Sequence, residues 1–185
     1  MKTKIFELWN TVFGEYEEKP VLTGYFPDGI GKKSAVVIFP GGAYSGRADY
    51  EGKDYAEFLA DNGIASFVVD YRVFPHHFPI QLADARRAVQ YVRHYADKFG
   101  IDKDKIAVMG SSAGGHLAAL TSTYYEDISI DSPDEIDKEC FIPNAQILCY
   151  PVIKLLGKGV AHLGSGKNLL GDRRLKWARH SAPTL

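Results

Sequence analysis

The sequence predicts an α/β protein, a three-layer sandwich built on a mostly parallel sheet. Three observations carry this. Short apolar runs alternate along the chain with longer amphipathic segments. The runs lack polar alternation, as strands do when both faces of a parallel sheet are covered. Strand and helix follow one another without a long linker, the pattern of a sheet wound by right-handed crossovers.

Val21 to Phe26 reads as an outer strand ended by the turn Pro27-Asp28-Gly29. Ala35 to Phe39 (AVVIF) is the first buried strand. Tyr50 to Asn62 reads as a helix with Tyr55, Phe58 and Leu59 on one face, and Gly63 fits the position just past its end. Ile64 to Val69 (IASFVV) is the second buried strand. Gln81 to Phe99 is the clearest helix. Leu82, Ala85, Val89, Val92, Ala96 and Phe99 recur at spacings of three and four, which leaves Arg86, Arg87, Arg93 and Lys98 off the apolar stripe. Ile106 to Met109 (IAVM) is a strand, about Gly114 to Tyr125 a helix, and Ala145 to Val152 (AQILCYPV) a strand. After Val152 the pattern weakens to a short helical patch near Lys167 to Leu170 and no further strand.

The 185 residues suit one domain over 1–185, with 45% apolar and 24% charged residues. A net charge of −1 gives no electrostatic reason to expect nucleic acid or an anionic membrane as a partner. No stretch approaches the ~20 apolar residues that span a bilayer. Glu7 and Asn10 interrupt any secretory signal, so a cytoplasmic location is expected. Cys140 and Cys149 match no metal or redox spacing and read as a reduced pair.

The chemistry concentrates at Met109-Gly110-Ser111-Ser112-Ala113-Gly114-Gly115, a G-x-S-x-G that follows a strand and opens a helix. A serine on so sharp a turn adopts a strained backbone, and only small neighbours avoid collision there. Ser112 is thereby exposed at the carboxyl edge of the sheet as a nucleophile. The helix behind it leaves free N–H groups facing a substrate. A second element, Phe39-Pro40-Gly41-Gly42-Ala43-Tyr44, leaves the end of an earlier buried strand. A Gly-Gly loop there brings bare backbone N–H close to a ligand, as an oxyanion hole requires. Gly42 and Ala113 are the candidate donors. No G-x-G-x-x-G follows a strand and no phosphate-binding G-x-x-x-x-G-K-[ST] occurs, so neither a nucleotide nor any other cofactor is expected. The six histidines show no metal spacing, so no metal is expected either.

These motifs, PGGAY, DYRVFPHHFPIQLADARRAVQYVR and GSSAGGHLAAL, resemble the esterase branch of the α/β-hydrolase superfamily. The resemblance is strongest to its acetyl-xylan-esterase and carbohydrate-esterase-like group, whose oxyanion loop reads P-G-G-G-Y. FELW, YEGKDYAEFLADNGI, CYPVI and AHLGSGKNLLGD extend it from about Phe6 to Asp172. It implies an α/β-hydrolase-type sandwich and a serine esterase that hydrolyses small esters, acetyl-type and sugar-borne among them, through an acyl-serine. Ser112 would be the nucleophile, with oxyanion N–H groups from Gly42 and Ala113. Gly41, Tyr44 and Glu51 match positions near the pocket, although packing and a helix start explain Tyr44 and Glu51 equally well. Ala43 stands where the family usually has glycine. It keeps an N–H, so the hole survives unless the loop needs a positive φ there.

A serine needs a base, because the alcohol is a poor nucleophile. In this fold the acid and histidine follow the serine on separate strand ends. In the order acid then histidine, the candidates after the last strand are Asp172 and His180, and they are too close in sequence for that arrangement. His116, one helical turn beyond Ser112, is expected to face packing or solvent, and His76 and His77 to lie in a loop at the pocket rim. The chain therefore resembles the N-terminal two-thirds of a catalytic domain, truncated before its last strands, with weak activity at best. The alternatives are a non-catalytic relative and a lipase- or peptidase-like hydrolase of the same fold. Without a later strand beside it, 145–152 would be an apolar sheet edge through which the chain self-associates.

Overall fold

The computed structural model describes residues 1–10, 19–128, 134–157 and 159–171. Lys2–Glu7 (β1), Val21–Phe26 (β2), Lys33–Phe39 (β3), Ala65–Asp70 (β4), Ile101–Ser111 (β5) and Ala145–Cys149 (β6) form one sheet. Their spatial order is β1-β2-β4-β3-β5-β6. The pairs β4–β3, β3–β5 and β5–β6 are parallel, and β1–β2 and β2–β4 are antiparallel. The helices are Tyr55–Asp61 (α1, entered through a π-helical turn at Tyr50–Asp54), Ile80–His94 (α2), Ala96–Phe99 (α3), Ala113–Thr123 (α4) and Leu163–Leu170 (α5). Among the described residues, no helix is long and apolar enough to cross a membrane.

Successive residues of a strand face opposite sides of a sheet, and β3 divides accordingly. Val36 and Ile38 pack with Ala56 and Ala60 of α1. Ala35, Val37 and Phe39 pack with Val89 and Val92 of α2 and Leu117 of α4. The sheet is thus the middle of three layers, and burying each such Val, Ile or Phe contributes about 1.5–3 kcal/mol. The β3–β5 register brings Phe39 opposite Gly110. The two strands end side by side, so the Gly-Gly loop and the Ser112 turn emerge together.

Four expectations need correction. The outermost strand is β1, not β2. Its sequence KTKIFE is mostly exposed and carries no apolar run, which suits an edge whose lysines discourage further pairing. The last strand stops at Cys149 instead of Val152. Tyr150 has φ +37, and the Val152 N–H leaves the ladder to donate to the Ser112 carbonyl. Phe58 is exposed, and Ala56 and Ala60 are the α1 residues buried against the sheet. Arg86 and Arg87 are buried, not solvated. Arg87 reaches Asp134, Asp137 and the Leu8 carbonyl, and Arg86 reaches the carbonyls of Tyr124 and Glu126. A charge with that many partners is tolerated in the interior.

A second buried pair fixes the chain after β4. Asp84 of α2 is fully buried and accepts from Trp9 Nε1 at 2.9 Å, Arg72 N–H at 3.0 Å, and Arg72 Nε and Nη2 at 2.9 and 2.7 Å. Removing one partner of a buried pair strands the other charge, at a cost of about 3–5 kcal/mol. Asp84→Ala is therefore expected to lower unfolding stability by that amount, measured as a fall in the urea midpoint.

Candidate active site

β5 ends at Ser111 and α4 begins at Ala113, so Ser112 makes the whole turn, with φ 53 and ψ −117. The sequence folds this way because its neighbours are glycine. A Cβ on Gly114 would lie 2.0 Å from the Phe39 carbonyl oxygen, and one on Gly110 would lie 2.1 Å from the Gly114 carbonyl oxygen. A backbone in this region stores about 1–3 kcal/mol and persists only when the surroundings over-determine it. Here they do. The Ser112 N–H donates to the Cys149 carbonyl at 3.0 Å, and the Ser112 carbonyl accepts from the N–H groups of Val152 and His116 at 2.9 and 3.1 Å. The Ser112 side chain is partly exposed. Its hydroxyl bonds none of the described residues.

The loop after β3 lies against this turn, and a Cβ on Gly41 would sit 3.1 Å from Ser112 Cβ. Each of its peptide groups is held. Gly41 N–H donates to Glu51 Oε2 at 2.6 Å, and Gly41 O accepts from Ala48 N–H at 2.9 Å. Gly42 O accepts from the N–H groups of Ser45 and Gly46 and from Ser45 Oγ. Ala43 O accepts from Asn168 Nδ2 at 2.9 Å, and Tyr44 O from Phe74 N–H at 2.8 Å. The N–H groups of Gly42, Ala43 and Ala113 have no partner among the described residues. Gly42 and Ala113 are the pair that the sequence suggests, and Ala43 adds a third unpartnered N–H to them. Ala43 has φ 55, so the loop does use a positive φ where this chain has alanine. The residue keeps its N–H at a cost of about 1–2 kcal/mol in local strain.

Glu51 lies in the π-helical turn and is 5% exposed. It accepts from Gly41 with one oxygen and from the Tyr150 hydroxyl with the other. Its side chain therefore ties the loop to the segment after β6, where a helix-start role was an equal expectation. The bond to Glu51 pushes the Tyr150 phenol up to about 12. Tyr44 is fully buried, and its hydroxyl meets His116 Nδ1 at 2.8 Å across perpendicular rings. Burial pushes the Tyr44 phenol well above its usual range and the His116 imidazole down to about 4. His116 thus packs beneath the loop as a neutral ring. His77 Nδ1 lies 2.8 Å from the Asn168 carbonyl, so that nitrogen carries the proton. Asp172 and His180 lie outside the described residues.

Three contributors escaped the sequence reading. Tyr71, fully buried, donates from its hydroxyl to the Pro40 carbonyl at 2.6 Å. Tyr150 and Asn168 come from segments after β6. Their motifs are visible in the sequence, but no spacing rule connects them to residues 40–44.

Residues 23–155 match the BD-FAE family, a stretch that includes both the loop and the Ser112 turn. The chain belongs to the BD-FAE family. This BD-FAE chain is 36% identical over 143 residues to an acetylxylan esterase of Xylanibacter ruminicola, covering 77% of the chain and 27% of that protein. It is 32% identical over 158 residues to an endo-1,4-β-xylanase B of Butyrivibrio fibrisolvens, covering 82% and 24%. The chain thus spans about a quarter of the length of these curated relatives. Among solved structures, an acetyl ester-xyloside bifunctional hydrolase from Caldicellulosiruptor lactoaceticus superposes with a TM-score of 0.84 at 36% identity, over 98% of this chain and 70% of that one. A propionate-bound thermophilic esterase from Thermogutta terrifontis gives 0.72 at 28% identity, over 90% and 62%. The fold is that of the α/β-hydrolases.

The buried His116 sets a pH dependence. A folded-state value near 4, below the ordinary 6.5, means that the unfolded chain takes up the proton first as pH falls. The stability is complete above pH 6.5 and is lost between about 6.5 and 4, on the order of 3 kcal/mol at the lower end. Urea unfolding from pH 7 to 4.5 should show this decline, and His116→Asn should flatten it.

Proposed function

We propose that the chain is part of a serine esterase that hydrolyses small carboxylic esters through an acyl-Ser112 intermediate, with acetyl esters of sugars as the first substrate class to test. One observation carries the reading. A strained, partly exposed Ser112 sits against a pinned loop whose Gly42 and Ala43 N–H groups, with that of Ala113, are left without partners among the described residues. The esterase names of the relatives support it.

The reaction follows from this arrangement. A base takes the proton from Ser112 Oγ as the oxygen adds to the ester carbonyl carbon. The negative charge moves to the former carbonyl oxygen, where the Gly42, Ala43 and Ala113 N–H groups stabilise it. Fixed donors of this kind need no reorganisation as charge develops, and each is worth about 10²–10³ in rate. The carbonyl re-forms, the alcohol leaves with a proton, and water then releases the acid from Ser112 by the same route. Gly41 and Glu51 shape the wall beside Ser112, and Tyr44 backs the loop.

Residues 1–185 form one partial domain in this reading, and the thiols of Cys140 and Cys149, neither in a disulfide, support a cytoplasmic location. The reading also includes self-association of two copies through 145–152. β6 pairs with β5 on one side, and Ile147 and Leu148 are both exposed. Leu148→Lys should shift the sedimentation profile toward monomer at high protein concentration, and an unchanged profile would remove that part.

The nucleophile is tested with a fluorophosphonate, which labels an activated serine covalently. The full-length wild-type enzyme should be labelled at Ser112, and its Ser112→Ala variant should not be labelled. Ester hydrolysis by Ser112→Ala should fall by several orders of magnitude in the full-length enzyme. Hydrolysis at an undiminished rate would overturn the assignment.

A further inference from the structure

Helix α5 reaches back to the loop beside Ser112. Its Asn168 Nδ2 donates to the Ala43 carbonyl at 2.9 Å, the sole partner of that carbonyl among the described residues. The Asn168 carbonyl accepts from His77 Nδ1 at 2.8 Å, and the Leu169 carbonyl from Phe78 N–H at 2.7 Å. The 74–78 segment in turn holds Tyr44 through the Phe74 N–H. One turn of α5 thus grips two consecutive peptides of the loop, one directly and one through that segment.

The helix that makes this contact is itself fixed. Leu169 and Leu170 are buried in the larger core, and Leu155 packs so close to Gly166 that a Cβ there would lie 2.4 Å from the Leu155 carbonyl oxygen. His162 Nδ1 accepts from the Ser165 N–H at 3.1 Å and caps the first turn. Asn168 is therefore presented by a packed element, while Ala43, like Tyr44 after it, is a loop residue with reason to relax. An alanine at φ 55 has no glycine-like freedom to stay there unaided.

We infer that Asn168 is a positioning residue of the oxyanion hole. Its amide holds the Ala43 carbonyl so that the Gly42 and Ala43 N–H groups stay aimed beside Ser112. The inference rests on the esterase reading of Ser112. Without the amide, Ala43 turns toward negative φ and carries its N–H away from the oxyanion. Donors must lie about 2.7–3.1 Å from that oxygen, and a displacement of about 1 Å costs roughly 10²-fold.

The test is the rate of covalent labelling by a fluorophosphonate, whose phosphoryl oxygen occupies the hole as Ser112 attacks. Wild type, Asn168→Ala, Asn168→Leu and Lys167→Ala, each in the full-length enzyme, are compared well below the melting temperature of each. Leucine fills a similar volume but cannot donate, and Lys167 is an exposed neighbour on the same helix. Both Asn168 variants should label roughly 10- to 100-fold more slowly, with Lys167→Ala at the wild-type rate. Asn168→Leu labelling at the wild-type rate would show a packing role alone and overturn the inference while leaving the esterase reading intact. Absence of labelling in the wild type would instead overturn that reading, and this inference with it.

Discussion

The site depends on two parallel strands that end at the same level. Because β3 and β5 are paired with Phe39 opposite Gly110, the segment leaving one strand is forced against the segment leaving the other. Both segments are glycine-rich, and their backbones close to distances that a Cβ would forbid. The approach of the 41–44 loop to Ser112 is thus a consequence of sheet register, set by the same alternation that buries Val37 and Phe39 on one face and Val36 and Ile38 on the other. Moving that register would cost the core before it cost the site.

In the loop and the serine turn, three non-glycine residues have positive φ: Ala43, Tyr44 and Ser112. Each is disfavoured alone, and each is held by bonds from elsewhere in the sheet order. Ser112 is clamped by the chain leaving β6, Tyr44 by its hydroxyl on His116 and its carbonyl on Phe74, and Ala43 by Asn168. Glu51 and Tyr71 anchor the start of the loop at Gly41 and Pro40. The N–H groups of Gly42, Ala43 and Ala113 are left over among the described residues, next to Ser112 in the chain or in the loop that lies against it. Around them the carbonyls of residues 40–44 are all bonded, which is how a backbone can be both strained and rigid.

Much of this is legible in the sequence because it depends on local pattern. AVVIF and IASFVV read as covered strands, and the G-x-S-x-G signals a turn that only small flanking residues permit. The edge strand KTKIFE is not legible, since exposure on both faces erases the apolar run. Arg86 and Arg87 are misplaced because helical periodicity scores a charge as solvent-facing. The acids that make Arg87 an interior residue come from Asp134 and Asp137, far along the chain. Ala43 exposes the limit most clearly. The alanine is plain in the sequence, but whether the loop holds a positive φ there depends on a bond from Asn168 that no spacing encodes.

That bond also orders events in time. It joins residues separated by 125 positions. A ribosome adding about 5–20 residues per second completes Ala43 several seconds to tens of seconds before Asn168 exists. The β3–β5 pair comes from the earlier part of the chain and the clamp on Ser112 is complete at Val152, so a nascent chain has the partners of the elbow before the clasp that steadies its loop. The interval leaves the Ala43 carbonyl without its partner on a growing chain, and it closes only when α5 has emerged and docked.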